Sequence, residues 1–385
     1  MKIHFSKFNI FGIIGSIMLL ILPIFFSNQF YISFSTAIFY MLLVAIGMSL
    51  FLFFLSQIIG VKTIYIFTIA VIFELGIYTS FIAIKNNWIE SPSFNQKIQN
   101  FYVSYLRGLA TFQYDLSQYD AQLFYTLQQG QVENSNIEFS NIYHINSEGL
   151  RDDEPSLNFP EIIVLGDSHA MGFGVNQEET FSNILETHTQ SKVLNTGISS
   201  YGSAREYIMF QRLKKDSCKT IIWQYCPNDA DENKYFLENK NLLDISSESE
   251  YNSACHKNFI KSSYYPFKLT FEGISHIFRK LTRQKNSDYQ PIDITTQCSN
   301  FFKIINLLQK NFNGKIIVFN IETHNTSDEF FLNAEKILAS KKIENIQLID
   351  FTKNLNKEDF YIIDGHMKAS GHQKIGQTLF EILKE

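Results

Sequence analysis

Hydropathy divides the chain before any residue is given a chemical role. From Phe8 to Val61 no Lys, Arg, Asp, Glu or His occurs, and from Thr63 to Ile84 the only charge is Glu74. About 20 apolar residues cross a bilayer core, so this region predicts three membrane spans, near 9–26, 31–58 and 63–84. A cleaved signal peptide is the rival reading of the first run. No small-residue cleavage site comes after it, however, and two more apolar runs do. Lys2 and Lys7 precede the first span and Lys62 separates the second from the third, while Lys85 votes the other way. The positive-inside rule then puts the N-terminus in the cytoplasm and everything after Ile84 outside. An acid inside a span is by default a functional residue. The blander reading is preferred for Glu74, a carboxyl bonded to a neighbouring span.

Beyond the spans, 86–156 is mixed and polar. Its "SNIEFSNIYHINSEGLRDDEP" carries alternating apolar residues that predict one or two short strands, a lead-in packed on the edge of the domain after it. From there, runs rich in Ile and Val at 161–165, 192–195, 219–225, 314–320 and 346–350 read as strands. Helix-like segments fall near 178–190, 203–214, 297–312, 328–341 and 370–384. Strands alternating with helices predict βαβ units and a parallel sheet. An insertion at about 230–296 has no clear period and is expected to hang off the third strand, where a loop can shape a substrate pocket. The chain thus divides into a membrane anchor (1–85), the lead-in (86–156) and an α/β domain (157–385).

Composition narrows the function. A net charge of −5 on 385 residues argues against a nucleic-acid binder, which would carry a basic stripe. The four cysteines, Cys218, Cys226, Cys255 and Cys298, form no C-x-x-C, so a structural zinc site is not expected. An oxidising exterior would permit disulfides, but spacing assigns no pairs. Gly172-x-Gly174 lacks the third glycine of a dinucleotide fingerprint, and no cofactor is expected. Asp229, Asp231 and Glu232 read as a solvated acidic loop rather than a calcium site.

Chemistry gathers at the strand ends. The first strand, "IIVL", runs into Gly166-Asp167-Ser168, the second ends in "NTGISSYG", the third in "CPNDADEN", and "IIDGHMKASGH" precedes the last helix. A parallel sheet brings the loops at the carboxyl ends of its strands to one edge. Ser168 is the candidate nucleophile, and it needs a base. His366 is the candidate base, and Asp364 the acid that would orient it. The tetrahedral intermediate needs hydrogen-bond donors, for which the Ser168 N–H, the Asn228 amide and a backbone N–H of the second loop are candidates. His169 directly follows Ser168 and is expected to point away from it in a structural role, while His372 is expected to open the closing helix. The α/β-hydrolase elbow G-x-S-x-G is not met, because residue 170 is Ala.

Gly166-Asp167-Ser168, Asn228-Asp229 and Asp364-x-His366 together resemble three blocks of the SGNH (GDSL-like) hydrolase superfamily, over about residues 145–385. The flanking "NSEGLRD", "GFGVNQEETF" and "NTGISSYG" resemble a bacterial membrane-anchored branch, whose members often accompany surface-glycan machinery. The resemblance implies a flavodoxin-like three-layer α/β/α domain after the three transmembrane helices. It also implies a catalytic set of Ser168, His366 and Asp364, with Asn228 and the Ser200 N–H in the oxyanion hole. Two positions depart from the family pattern. Ser200 stands where the donor glycine is usual, with Gly197 as the fallback, and D-x-H replaces the common D-x-x-H.

The expected protein is a membrane-anchored serine esterase acting outside the cytoplasm. It would remove acyl groups, acetyl first among them, from a glycan or glycolipid near the membrane. Envelope polysaccharide-assembly proteins are the expected partners. Acyl transfer to a sugar by the same triad, or a catalytically silent glycan-binding module, are the alternatives.

Overall fold

The computed structural model describes residues 6–28, 34–89, 91–226, 230–282, 292–321, 327–341 and 345–384. Four helices come first: α1 (Lys7–Asn28), α2 (Phe34–Ile59), α3 (Thr63–Lys85) and α4 (Pro92–Tyr105). Two antiparallel hairpins come after them, β1 (Ser117–Asp120) with β2 (Phe124–Leu127), and β3 (Gly130–Ser135) with β4 (Ser140–Ile145). Next come β5 (Ile162–Leu165), the one-turn helix α5 (Ser168–Met171), α6 (Phe181–Thr189), β6 (Val193–Asn195), α7 (Ser203–Arg212) and β7 (Thr220–Gln224). The rest comprises α8 (Ala230–Glu238), α9 (Glu248–Ser262), α10 (Lys268–Thr282), α11 (Ile294–Leu308), β8 (Lys315–Asn320), α12 (Ser327–Lys341), β9 (Ile346–Asp350) and α13 (Ala369–Lys384).

These elements cluster into two units. The first comprises Met1–Gln113, Glu248–Asp288 and Ile362–Asp364; the second comprises Tyr114–Ser247, Tyr289–Tyr361 and Gly365–Glu385.

In the first unit, α2 and α3 are long and apolar enough to cross a membrane. Of the three expected spans, α2 and α3 have the length and hydropathy; α1 is a 22-residue helix at the position of the first, and its apolar stretch among the described residues is Lys7–Leu22. Few polar groups need accommodating here; Ser16 and Ser49 return their hydroxyls to carbonyls one turn back. The insertion without a readable period is helical, and α9 and α10 group with this unit rather than with the sheet. Ile260, Tyr265 and Phe271 share an apolar cluster with Ala37, Tyr40, Val44 and Met48 of α2. Glu74 is bonded not to a neighbouring span but to Tyr264 and the first turn of α10.

The second unit holds a five-stranded parallel sheet in the order β6-β5-β7-β8-β9. Counted within the sheet this is 2-1-3-4-5, the flavodoxin-like order. It is the fold that the resemblance to SGNH hydrolases implies. All four β5 residues are buried, as expected for a strand covered on both faces. Side chains alternate between the faces. Ile162, Val164, Ile222, Ile317 and Phe319 lie with Phe181 and Leu185 of α6 and Ile375 and Leu379 of α13 on one side. On the other, the Trp223 ring meets Phe301 of α11 at 5.2 Å and its indole N–H donates to Glu206 of α7. Each such buried aliphatic or aromatic side chain contributes roughly 1.5–3 kcal/mol. The lead-in is richer than one or two edge strands: it forms α4 and the two hairpins, and neither hairpin joins the parallel sheet.

Candidate active site

The turn after β5 follows from its residues. Gly166 has φ 152°, and a Cβ there would lie 2.6 Å from Ala170 Cβ and 2.7 Å from Gln224 Oε1, so only glycine fits. Gln224, at the end of β7, accepts the Asp167 N–H through Oε1 (3.1 Å). Asp167 caps α5 by accepting the His169 N–H (3.0 Å), an ordinary N-cap contact. Ser168 is therefore the first residue of a short helix at the carboxyl end of β5. Its neighbours β6 and β7 lie on opposite sides of β5, so this is the point at which the chain reverses its direction across the sheet, where open α/β sheets bind ligands.

Ser168 Oγ and His366 Nε2 are 2.8 Å apart, although 198 residues separate them in sequence. The loop holding His366 is a closed turn: the Tyr361 N–H donates to the His366 carbonyl (2.8 Å) and the Gly365 N–H to the Tyr361 carbonyl (3.1 Å). Gly365 has φ 89°, a left-handed conformation that favours glycine. The Phe173 ring lies 4.5 Å from the imidazole of His366. Tyr361 fixes the same wall, because its hydroxyl donates to the Gly174 carbonyl (2.8 Å).

Asp364 is buried, two residues before His366, and its backbone carbonyl accepts from Arg107 Nη1 (3.1 Å) within the first unit. Asn228 lies outside the described residues. Ser200 adopts φ 62°, a left-handed conformation that favours glycine. The Tyr125 hydroxyl donates to the carbonyls of Ser199 and Ser200 (3.1 and 3.0 Å). The second loop touches the nucleophile turn through the Ile198 N–H, which donates to the Gly166 carbonyl (3.2 Å). Gly197, the fallback donor, is committed elsewhere. Its N–H goes to Asn195 Oδ1 (3.0 Å), and a Cβ there would lie 2.3 Å from the Met171 nitrogen. Its part is close packing against α5.

His169 does not turn wholly away, since its ring sits 5.1 Å from that of His366. His372 lies in the first turn of α13, fully buried, where Nδ1 accepts the Phe181 N–H (3.2 Å). Burial beside His169, Arg151 and His366 pushes its pKa down to about 3, so it is a neutral core imidazole. Asp231 and Glu232 open α8 rather than a solvated loop, and Glu232 pairs with Arg205 at 2.6 Å. Among the described residues, no group of three or more His, Cys, Asp or Glu could hold a metal ion.

Three supporting residues were not legible in the sequence. Arg151 is fully buried with its guanidinium 3.7 Å over the Tyr143 ring; it donates to the carbonyls of Met171, Gly172 and Val175, fastening the chain beyond α5. Burial lowers its pKa only to about 10, so it keeps its charge. Asn195 donates to the Ala170 carbonyl (2.9 Å) and to Ser182 Oγ (3.1 Å). Asp152 accepts the Asn195 N–H (2.7 Å), and burial pushes its carboxyl up to about 7. The "NSEGLRD" and "NTGISSYG" stretches carry the resemblance as motifs but give these three residues no role, because nothing in a single chain marks an arginine as buried.

No protein-family model matches the chain, and no curated protein matches it. Among solved structures, it is similar to a putative lipolytic protein of the G-D-S-L family from Desulfitobacterium hafniense, at 13% identity and TM-score 0.36, covering 57% of this chain and 98% of that one. It is also similar to a carbohydrate esterase family 2 enzyme with a carbohydrate-binding domain from Corynascus thermopiles (Myceliophthora fergusii), at 12% identity and TM-score 0.37, covering 58% and 65%. An acetyl xylan esterase from the rumen bacterium Butyrivibrio proteoclasticus is similar at 12% identity and TM-score 0.35, covering 58% and 63%.

Proposed function

We propose that the protein is a membrane-anchored serine esterase that removes acyl groups, acetyl first among them, from an extracytoplasmic glycan or glycolipid. The observation that carries this reading is the 2.8 Å contact between Ser168 Oγ and His366 Nε2 at the reversal point of the sheet. A free hydroxyl is a poor nucleophile near neutral pH. An imidazole nitrogen at hydrogen-bond distance removes that obstacle by taking the proton as the Oγ–C bond forms.

The ester carbonyl carbon becomes tetrahedral, and its oxygen turns anionic. The Ser168 and Ser200 backbone N–H groups and the Asn228 amide are the donors assigned to that oxygen. Collapse returns the electron pair to the carbonyl and breaks the bond to the sugar oxygen, which takes the proton from His366. Water, deprotonated by the same imidazole, then attacks the acyl-serine, releasing the acid and restoring Ser168. Asp364 is assigned the role of holding the His366 tautomer. The apolar helices α2 and α3 support attachment to a membrane.

The test is turnover of a chromogenic acetyl ester by the full chain, Ser168→Ala and His366→Ala, with fluorophosphonate labelling in parallel. Each substitution is expected to lower kcat at least about a thousandfold, and only chains that keep Ser168 should label. Equal turnover by all three chains would end the serine-esterase reading. An acceptor sugar that accelerates turnover would assign acyl transfer instead.

A further inference from the structure

The link between α9 and α10 is a tight turn, Ser263 to Phe267, that packs against α3. The Phe267 ring meets Phe67 edge-on at 6.0 Å. Gly273, six residues further along, brings α10 against Phe73 and Ile77, which lie 3.5 and 3.9 Å from where its Cβ would be. At the heart of the contact is Glu74. It stands eleven residues from Thr63 and eleven from Lys85, the two ends of α3, so about 16 Å of helix lies on either side of it. In a helix that spans a bilayer, that is the hydrocarbon midplane.

The polar groups of the turn are closed off on both sides. The first N–H groups of α10 have no partner within the helix. Glu74 accepts those of Leu269 (3.0 Å) and Thr270 (2.8 Å), together with the Thr270 hydroxyl (2.6 Å) and the Tyr264 hydroxyl (3.2 Å). The last carbonyls of α9 are equally orphaned. Lys268, itself fully buried, donates to those of Ile260 (3.4 Å) and Lys261 (2.5 Å) and to that of Ser263 in the turn (2.6 Å). A turn in water needs no such arrangement, because solvent serves its ends. In hydrocarbon, irregular backbone persists only where protein supplies the partners. The opposed charges also match the two helix dipoles, an anion at an N-terminus and a cation at a C-terminus.

The outer surface of α10 completes the pattern. Ile274, Ile277 and Phe278, at i, i+3 and i+4, are 50%, 59% and 66% exposed. They continue the exposed apolar surface of α3, where Ile69, Ile72 and Phe73 are 61%, 63% and 48% exposed. From these observations we infer that α9 and α10 form a re-entrant hairpin, with its turn in the hydrocarbon at the depth of Glu74 and the Ile274–Phe278 stripe facing lipid acyl chains. This part of the α/β domain's insertion is thus a membrane element. The inference rests on the membrane-anchored reading of α2 and α3.

The test uses the full chain with Cys218, Cys226, Cys255 and Cys298 replaced by alanine, reconstituted in phosphatidylcholine liposomes. Spin labels are placed singly at Ile274→Cys, Ile277→Cys and Phe278→Cys. Ile72→Cys serves as the label on the span, and Leu242→Cys, exposed in the second unit, as the aqueous reference. Collision with oxygen, which concentrates in lipid, is compared with collision with a water-soluble nickel chelate. All three α10 labels are expected to show nickel access several-fold below that at Leu242 and oxygen access above it, with the protection nearest that of Ile72 at Ile274 and declining towards Phe278, which lies further from the turn. Nickel access at α10 with Ile72 protected would overturn the hairpin and leave the anchor standing. Nickel access at both would overturn anchor and hairpin together. Protection of the α10 labels from both reagents would show the stripe covered by protein, a second copy included, and would also overturn the inference.

Discussion

Asp152 Oδ2 accepts the Asn195 backbone N–H at 2.7 Å, and the Asn195 side chain in turn donates to the Ala170 carbonyl at 2.9 Å. A buried carboxyl is therefore linked through one residue to the helix that begins with Ser168. Nothing in this chain of bonds touches the reacting atoms. It fixes where they are, and it makes part of the stability depend on pH.

Burial raises the Asp152 carboxyl from 3.8 to about 7. Between those values the folded chain holds a proton that the unfolded chain has lost. The group's stabilisation is thus complete below pH 3.8 and is lost as pH rises towards 7. Thermal melts of wild type and Asp152→Asn over pH 4–8 should show the wild-type Tm falling relative to the variant up to about pH 7, then running parallel. Parallel curves throughout would mean an ordinary carboxyl.

His372 has the opposite sign. Its pKa is about 3, against 6.5 for a solvated imidazole, so its contribution is present above pH 6.5 and lost as pH falls through that window. In His372→Asn, the amide oxygen can still accept the Phe181 N–H without taking up a proton. The wild type should lose Tm relative to this variant between pH 6.5 and 4. A constant offset would contradict the assignment.

Gln224 acts on the nucleophile only through Asp167. Gln224→Leu keeps the volume but leaves the buried Asp167 N–H without an acceptor, a loss of about 1–3 kcal/mol in stability. Steady-state kinetics on an acetyl ester should show kcat reduced by more than KM is raised, because the turn that aims Ser168 loosens while the pocket stays. Unchanged kcat would place Gln224 outside the catalytic framework.

Ser200 occupies a left-handed conformation, φ 62°, which costs a non-glycine residue roughly 1–2 kcal/mol. Part of that returns in Ser200→Gly, offset by the freedom glycine loses on folding, so urea titration should give a stability gain of about 0.5–1 kcal/mol. Esterase activity should be retained, since the backbone N–H is unchanged. A tenfold loss of activity would point to the Ser200 hydroxyl instead.

What the sequence disclosed was governed by range. The strands from Ile162 to Asp350 were legible because each is a short Ile- and Val-rich run bounded by polar turns. The meeting of Ser168 with His366 was legible because a parallel sheet forces its carboxyl-end loops together. The α9–α10 insertion was not. The buried face of α9 includes Ser253 and Asn258 beside Tyr251 and Cys255, which breaks its apolar period, and the periodic stripe of α10, Ile274, Ile277 and Phe278, lies on its exposed side, so neither reads as a helix facing the core. Glu74 is a bonded acid, as its sequence context suggests, but with a different partner, because its acceptor role is set by residues 190 to 196 positions away. The four-residue α5 is too short for any periodicity to register.

Gly197 sets how near the second loop can come to the helix that begins with Ser168. Its backbone is pressed so tightly onto Ala170 and Met171 that not even a methyl group fits between them. Any side chain at this position would have to push the two apart, so the absence of one here is what lets the loop lie directly against the nucleophile turn.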